Sequence, residues 1–327
     1  MTLYKGIQGF SVQNLSADPT DPNEGQLWYN STSNVLKLTS ATTAGTWATG
    51  GNLNTVNASS AGAGTQTAAL LAGGDSPVTS PPYNALSEEY NGISWSSLSP
   101  ISTGRGAVGG AGDLTAAVIF GGYISTFPGT NATEEYNGSA WSTVNSLLNQ
   151  IYASGASGTQ TAALSAGGAG EVTRSEEYDG TSWALGGSLA TGRSNAEGAG
   201  TQTASLLIGG NRPPPAGNLT EEYNGTSWTA GGTLNTARQA LGTAGTQTAG
   251  LAFGGSPPGV TTATEEYDGS TWTTSPASMN TARNELRGVG SQTAALGFGG
   301  STPTVVVGVT EEWTGAGAAV TKTITVS

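Results

Sequence analysis

The feature that most constrains this chain is a unit of about 42–48 residues repeated six times. Glu-Glu-Tyr stands at Glu88-Glu89-Tyr90, Glu134-Glu135-Tyr136, Glu176-Glu177-Tyr178, Glu221-Glu222-Tyr223 and Glu265-Glu266-Tyr267, and returns altered as Glu311-Glu312-Trp313. Five residues after each tyrosine comes a tryptophan: Trp95, Trp141, Trp183, Trp228 and Trp272. Upstream, each unit carries an apolar run ending in Gly-Gly, at Gly73-Gly74, Gly121-Gly122, Gly167-Gly168, Gly209-Gly210, Gly254-Gly255 and Gly299-Gly300. Within a unit, four short stretches of β-forming residues are separated by turn signals. Units of that size, unable to bury a face alone, must stack on their neighbours, so the expectation is an all-β propeller of six four-stranded blades.

The ends of the chain show how such a ring would close. The sixth unit has Ala318 where its outer tryptophan should stand, while Thr46–Asn57 (TWATGGNLNTVN) matches Ser227–Arg238 (SWTAGGTLNTAR). Trp47 and its neighbours are therefore expected to supply the last blade's outer strand, removing two sheet edges. The domains expected are 1–45, an attachment segment containing a β-hairpin; 46–318, the propeller; and 319–327, a C-terminal strand with alternating character, to pair with the hairpin or the closing blade.

Composition matters mainly for what it excludes. The 52 glycines and 10% charged residues would suggest disorder if they were aperiodic, but eight Trp and ten Tyr at mostly fixed positions call for a packed β-protein. A formal charge of −12 disfavours binding to nucleic-acid phosphate. No apolar run is long enough to span a membrane, and the N-terminus lacks the layout of a signal peptide. With neither Cys nor His, disulfides, thiolate chemistry and the usual zinc, copper and haem ligand sets are excluded, so no metal and no cofactor is expected. All three lysines (Lys5, Lys37, Lys322) lie outside the repeats and all seven arginines inside, which suggests separate modules.

The paired glutamates invite an acid–base reading. Neighbouring residues on a strand point to opposite faces, so Glu88 and Glu89 cannot converge on one atom. The expectation is that one Glu of each pair receives an Arg or a backbone N–H from an adjacent strand or blade. Arginine follows the tryptophan by ten residues at Arg105, Arg193 and Arg238 and by eleven at Arg283, while Ile151 and Asn57 replace it in two units. Tyr90, Tyr136, Tyr178, Tyr223, Tyr267, Trp47, Trp95, Trp141, Trp183, Trp228, Trp272 and Trp313 are expected to pack between blades. Asn-Gly and Asp-Gly suit tight hairpins. The Gly-Gly pairs lack the helix and Lys of a phosphate loop and fit a strand-end bend or close packing.

Two resemblances follow from these residues. Gly-Gly, Glu-x-Tyr, Trp and Arg in register over residues 47–313 resemble the kelch repeat. Gly25, Trp28-Tyr29-Asn30 and Asn34-Val35-Leu36-Lys37 resemble a segment near the start of many tailed-phage tail and fibre proteins. The second resemblance implies a virion protein, in a phage tail or fibre, that meets other virion proteins through its terminal segments. Recognition of a host-surface glycan or protein is expected from the loops after Gly-Gly, which vary while the frame repeats. Tyr83, Tyr123, Phe127, Arg174 and Arg212 in those loops are the binding candidates, and several loops are stiffened by proline. A homo-oligomer is compatible with such a role. The alternatives are a purely architectural virion adaptor and, third, a carbohydrate-active enzyme on a kelch-like propeller. Without Cys and His the copper chemistry of kelch-type oxidases is excluded, no carboxylate pair stands out for glycoside hydrolysis, and no catalytic residue is expected.

Overall fold

The computed structural model describes residues 12–19, 26–41, 44–78, 83–124, 129–211, 217–256, 259–316 and 319–324. Among these there is no helix. The chain divides into two compact units, one formed by Met1–Gly45 with Gly315–Ser327 and the other by Thr46–Thr314. The dividing line thus falls just after the last glutamate-bearing strand, four residues earlier than the expected 318. The physical reason is strand pairing: Ala319–Ile324 lies antiparallel to Val35–Ala41, so the final strand belongs with the N-terminal hairpin.

In the first unit, Leu27–Asn30 and Val35–Ala41 form the expected hairpin, with Gln13–Leu15 added in parallel beside Leu27–Asn30. Asp18 organises it, accepting from Trp28 Nε1 (3.1 Å), Asn30 Nδ2 (2.8 Å) and Lys37 Nζ (2.6 Å). The Lys37 ammonium, with these hydrogen bonds, holds the Asp18 carboxyl below its ordinary range. Trp28 is completely buried. Three residues of the Trp-Tyr-Asn…Lys pattern therefore converge on one carboxylate.

The second unit repeats a four-stranded antiparallel sheet, an arrangement consistent with a β-propeller. Glu197–Thr201, Ala204–Ile208, Thr220–Tyr223 and Trp228–Ala230 make one such sheet, in chain order. Among the described residues six sheets of this kind occur here, the last combining Arg287–Gly290, Ala294–Phe298 and Thr310–Thr314 with Thr46–Thr49. Trp313 sits opposite Trp47, the closure read from the sequence. The first strands (Ala61–Thr65, Gly109–Gly112, Gly155–Thr159, Glu197–Thr201, Gly242–Thr246, Arg287–Gly290) neighbour one another in order, and Arg287–Gly290 lies beside Ala61–Thr65. They surround a channel whose walls are glycine and small side chains, since close approach of six strands leaves no room for larger ones.

Each glutamate of a pair has its own duty. The first is buried and holds the connection entering its sheet. Glu265 accepts from Asn235 N (2.7 Å), Thr236 N (3.2 Å) and Arg238 Nη2 (2.5 Å). Arg105–Glu134, Arg193–Glu221 and Arg283–Glu311 repeat the pairing. Burial lowers the pKa of the Arg105, Arg238 and Arg283 guanidinium groups, an effect the partner carboxylates oppose. Where arginine is missing, Asn54 serves Glu88 through its amide and backbone N–H. In four of the pairs the second glutamate accepts the tyrosine hydroxyl of the neighbouring sheet: Tyr178 to Glu135 (2.8 Å), Tyr267 to Glu222 (2.6 Å), Tyr90 to Glu312 (2.6 Å) and Tyr223 to Glu177.

The tryptophans pack against tyrosines of their own sheets, for example Tyr223–Trp228 and Tyr267–Trp272 with ring centroids 4.9 Å apart. Most donate their indole N–H across to a hydroxyl of the preceding sheet, as Trp95 to Thr310, Trp183 to Thr133 and Trp272 to Thr220. Trp228 Nε1 makes no such bond, and Ser175 Oγ, at the corresponding position of the preceding sheet, donates to Gly187 O. A further tie is the glutamine of Gly-Thr-Gln-Thr-Ala. Gln202 Nε2 donates to Ala163 O (2.9 Å) and Tyr178 O (2.7 Å) of the preceding sheet, and Gln66, Gln160, Gln247 and, in Gly-Ser-Gln-Thr-Ala, Gln292 do the same. Asn-Gly and Asp-Gly open four-residue loops rather than two-residue turns. Asn91 Oδ1 accepts from the N–H groups of Ile93 and Ser94, and only the glycine takes positive φ.

Candidate functional site

One mouth of the channel departs from the repeat. Just before each first strand the backbone passes through a left-handed residue: Ser59 (φ 53°), Ala107 (50°), Ala153 (55°), Asn195 (53°), Ala240 (49°) and Glu285 (54°). Non-glycine residues rarely adopt this region, and it costs them of order 1 kcal/mol or more each. A circle of backbone hydrogen bonds holds them there. Ser59 donates to Glu285 O, Glu285 to Ala240 O, Ala240 to Asn195 O, Asn195 to Ala153 O and Ala153 to Ala107 O. The circle is completed one residue out of step, by Val108 N to Ser59 O at 3.4 Å. Strain repeated around one rim and balanced by a closed hydrogen-bond circuit marks a preorganised surface.

Inside this rim lies a small cavity of about 30 Å³. Its charged pair comes from the first residues of two first strands, positions filled by alanine or glycine in the other four. Arg287 Nη1 pairs with Glu197 Oε2, while its Nε donates to Ser60 O (2.6 Å) and its Nη2 to Val108 O (3.2 Å). The guanidinium thus bonds to groups of three other sheets. Burial pushes the Glu197 carboxyl up, against the pull of Arg287. Deeper in the channel the wall hydroxyls are engaged, Ser157 with Ser205 and Thr243 with Gly198 O.

Beside the rim stands an aromatic and acidic group. Tyr123 meets Tyr83 edge-on with centroids 4.9 Å apart and Tyr152 edge-on at 5.4 Å, and all three tyrosines are partly exposed. Tyr123 Oη donates to Asp75 Oδ2 at 2.5 Å. Burial pushes the Asp75 carboxyl up to about 6; the Tyr123 hydrogen bond works against the rise and the nearby Glu285 charge adds to it. Burial and the Asp75 hydrogen bond push the Tyr123 hydroxyl well above the usual phenol range. Glu285 is exposed and accepts from Ser301 Oγ at 3.1 Å.

The sequence-predicted candidates fare differently. Tyr83 and Tyr123 come together. Arg174 stands apart from them: its Nε donates to Glu176 Oε1 (3.1 Å), supplying the cation that Ile151 withholds from that sheet. Phe127 and Arg212 lie outside the described residues. Asp75 and Tyr152 are additions that the sequence reading missed. The signal for them is registration: Asp75 and Tyr123 follow Gly-Gly, and Tyr152 follows the arginine slot. At these two slots residue type changes from unit to unit while their neighbours repeat.

No family model and no curated protein matches this chain. A solved structure titled "Structure of YjhT" matches with a TM-score of 0.65 at 13% identity, covering 79% of this chain and 95% of that one. At that identity the likeness is one of fold.

Proposed function

We propose that this chain is a virion protein of a tailed phage, a tail or fibre component. Its second unit acts as a six-bladed kelch-like propeller that recognises a host-surface glycan or protein, and its first unit attaches it to other virion proteins. The observation that carries the reading is the Tyr83–Tyr123–Tyr152 group with Asp75, which breaks the repeat at one channel mouth. Elsewhere the repeated aromatic and charged side chains tie sheet to sheet, leaving the variable positions for recognition. Partly exposed aromatics beside hydrogen-bonding groups suit a ligand that is apolar on one face and polar at its edge. The Trp-Tyr-Asn segment, gathered on Asp18, supports the attachment role. The first glutamate of each pair is buried and hydrogen-bonded to the connection entering its sheet, which argues against turnover by those pairs.

The test is binding of fluorescently labelled full-length protein to a panel of bacterial strains. Specific binding to some strains is expected, with at least a roughly tenfold loss in Tyr83→Ala/Tyr123→Ala, as for removing central aromatic anchors. Particles that incorporate the protein while no strain binds it would replace recognition with the architectural role.

A further inference from the structure

We propose that the channel mouth takes an electrically neutral sugar unit, of the hexose or N-acetylhexosamine class, and rejects sugars bearing carboxylate, sulfate or phosphate. The proposal rests on the recognition reading above and adds the chemical class of the ligand.

Charge carries the argument. The second unit holds nineteen carboxylates and seven arginines, so the whole formal charge of −12 lies on it, whereas the first unit's three lysines are balanced by Asp18, Asp21 and Glu24. Each of the six described arginines of the second unit already pairs with a glutamate. Arg287 is the revealing case. A guanidinium at the edge of a cavity is the usual means of capturing an anion. Here each of its nitrogens is engaged within the protein, and Glu197 cancels its charge. An acidic sugar would instead meet the exposed carboxylate of Glu285, whose charge also acts on nearby Asp75. Unpaired like charge of this kind is how a site rejects a competitor.

The remaining features fit a neutral sugar. The cavity inside the rim, about 30 Å³, has room for about one water, so the sugar lies across the rim and against the tyrosines rather than inside it. The Asn195 side chain on the rim offers both an acceptor and a donor for hydroxyl and amide groups. The neighbouring tyrosines supply apolar surface for the C–H face of a ring. The hydrogen-bonded rim fixes these groups in place before the ligand arrives, which lowers the cost of ordering on binding.

The experiment is a glycan array probed with full-length protein at physiological salt, with neutral glycans set beside sialylated, uronic-acid and phosphorylated counterparts. The expected result is binding to a neutral subset only, falling about tenfold or more in Tyr123→Ala. Glu285→Gln, whose side chain is exposed and tolerant of change, is expected to keep neutral binding and to raise binding of acidic counterparts about three- to tenfold. Unchanged discrimination in Glu285→Gln would overturn the proposal, even if Tyr123→Ala fails to fold. Preference for acidic glycans would overturn it while leaving host recognition standing. So would cell binding that survives periodate oxidation of the surface sugars. Binding to neither glycans nor cells would overturn both.

Discussion

At the scale of single residues, the positions that break the repeat are the ones with unusual chemistry. Asp75 sits where other units place Ala169, Asn211 or Ser256, and burial there pushes its carboxyl up to about 6. The consequence for stability has a definite sign. A carboxyl that holds its proton more tightly when folded than when unfolded favours the fold most below its unfolded value, near 4. That contribution is lost as pH rises from about 4 through about 6. Asp75→Asn keeps an acceptor for the Tyr123 hydroxyl and removes the titration. The variant is therefore expected to melt at or above the wild-type temperature at pH 7.5 and to lose that advantage by pH 4.5. Melting curves of the two proteins at three pH values would decide it, and a difference that stays constant with pH would contradict the assignment. None of this was legible in the sequence. A lone aspartate after Gly-Gly reads as a solvated loop residue until the neighbouring sheet places a tyrosine on it.

Elements show the reverse balance, because the repeat announces its strands and conceals their ties. Alternation along a strand separates Glu-Glu onto two faces, which is enough to argue against a shared catalytic atom. It does not say that the first glutamate anchors the incoming connection and the second takes the neighbouring tyrosine, since those partners lie about 30 and 45 residues away. Arg174 misled for a related reason: it belongs by position to a variable loop, yet it lies two residues from Glu176 and takes up the duty of the missing arginine. The glutamine of Gly-Thr-Gln-Thr-Ala, plain in its repetition, gave no hint of reaching two carbonyls of the preceding sheet. The ties differ in weight. Arg238 and Glu265 are both wholly withdrawn from solvent. Removing one partner leaves a buried charge, at a cost of about 3–5 kcal/mol. Arg238→Met should fall at the lower end of that range, because Asn235 and Thr236 still donate to Glu265. Arg238→Met/Glu265→Gln should recover part of the loss. Arg174→Ala, at a pair with one partner nearer to solvent, should cost clearly less. Urea unfolding of the three variants tests the order, and equal losses for Arg238→Met and Arg174→Ala would refute it.

For the whole molecule, the decisive event is that a strand from near the start completes the last sheet. The split sixth unit showed this in the sequence because a repeat with a missing piece must find it elsewhere. The partition of the two ends was less legible, since Ala319–Ile324 alternates equally well for either neighbour and only pairing with Val35–Ala41 decides. Closure has an energetic meaning. Without Thr46–Thr49, the strand Thr310–Thr314 would present an open edge, and Trp313 would lose the Trp47 ring, 5.4 Å away. Phe253 would lose the same ring at 4.9 Å and Thr264 its indole donor. Because each sheet relies on its neighbours for burial, damage at one junction spreads to both adjoining sheets. A chain reduced to residues 46–314 keeps this junction and should fold on its own with one cooperative melting transition. A chain reduced to residues 50–314 differs by only four residues yet lacks the closing strand. It should melt at a markedly lower temperature and associate through the exposed edge, as seen by calorimetry and light scattering at matched concentrations. Coincident melting curves for the two truncations would mean that the ring is held by its sheets alone, and that the split unit is a relic of chain order rather than the fastening of the fold.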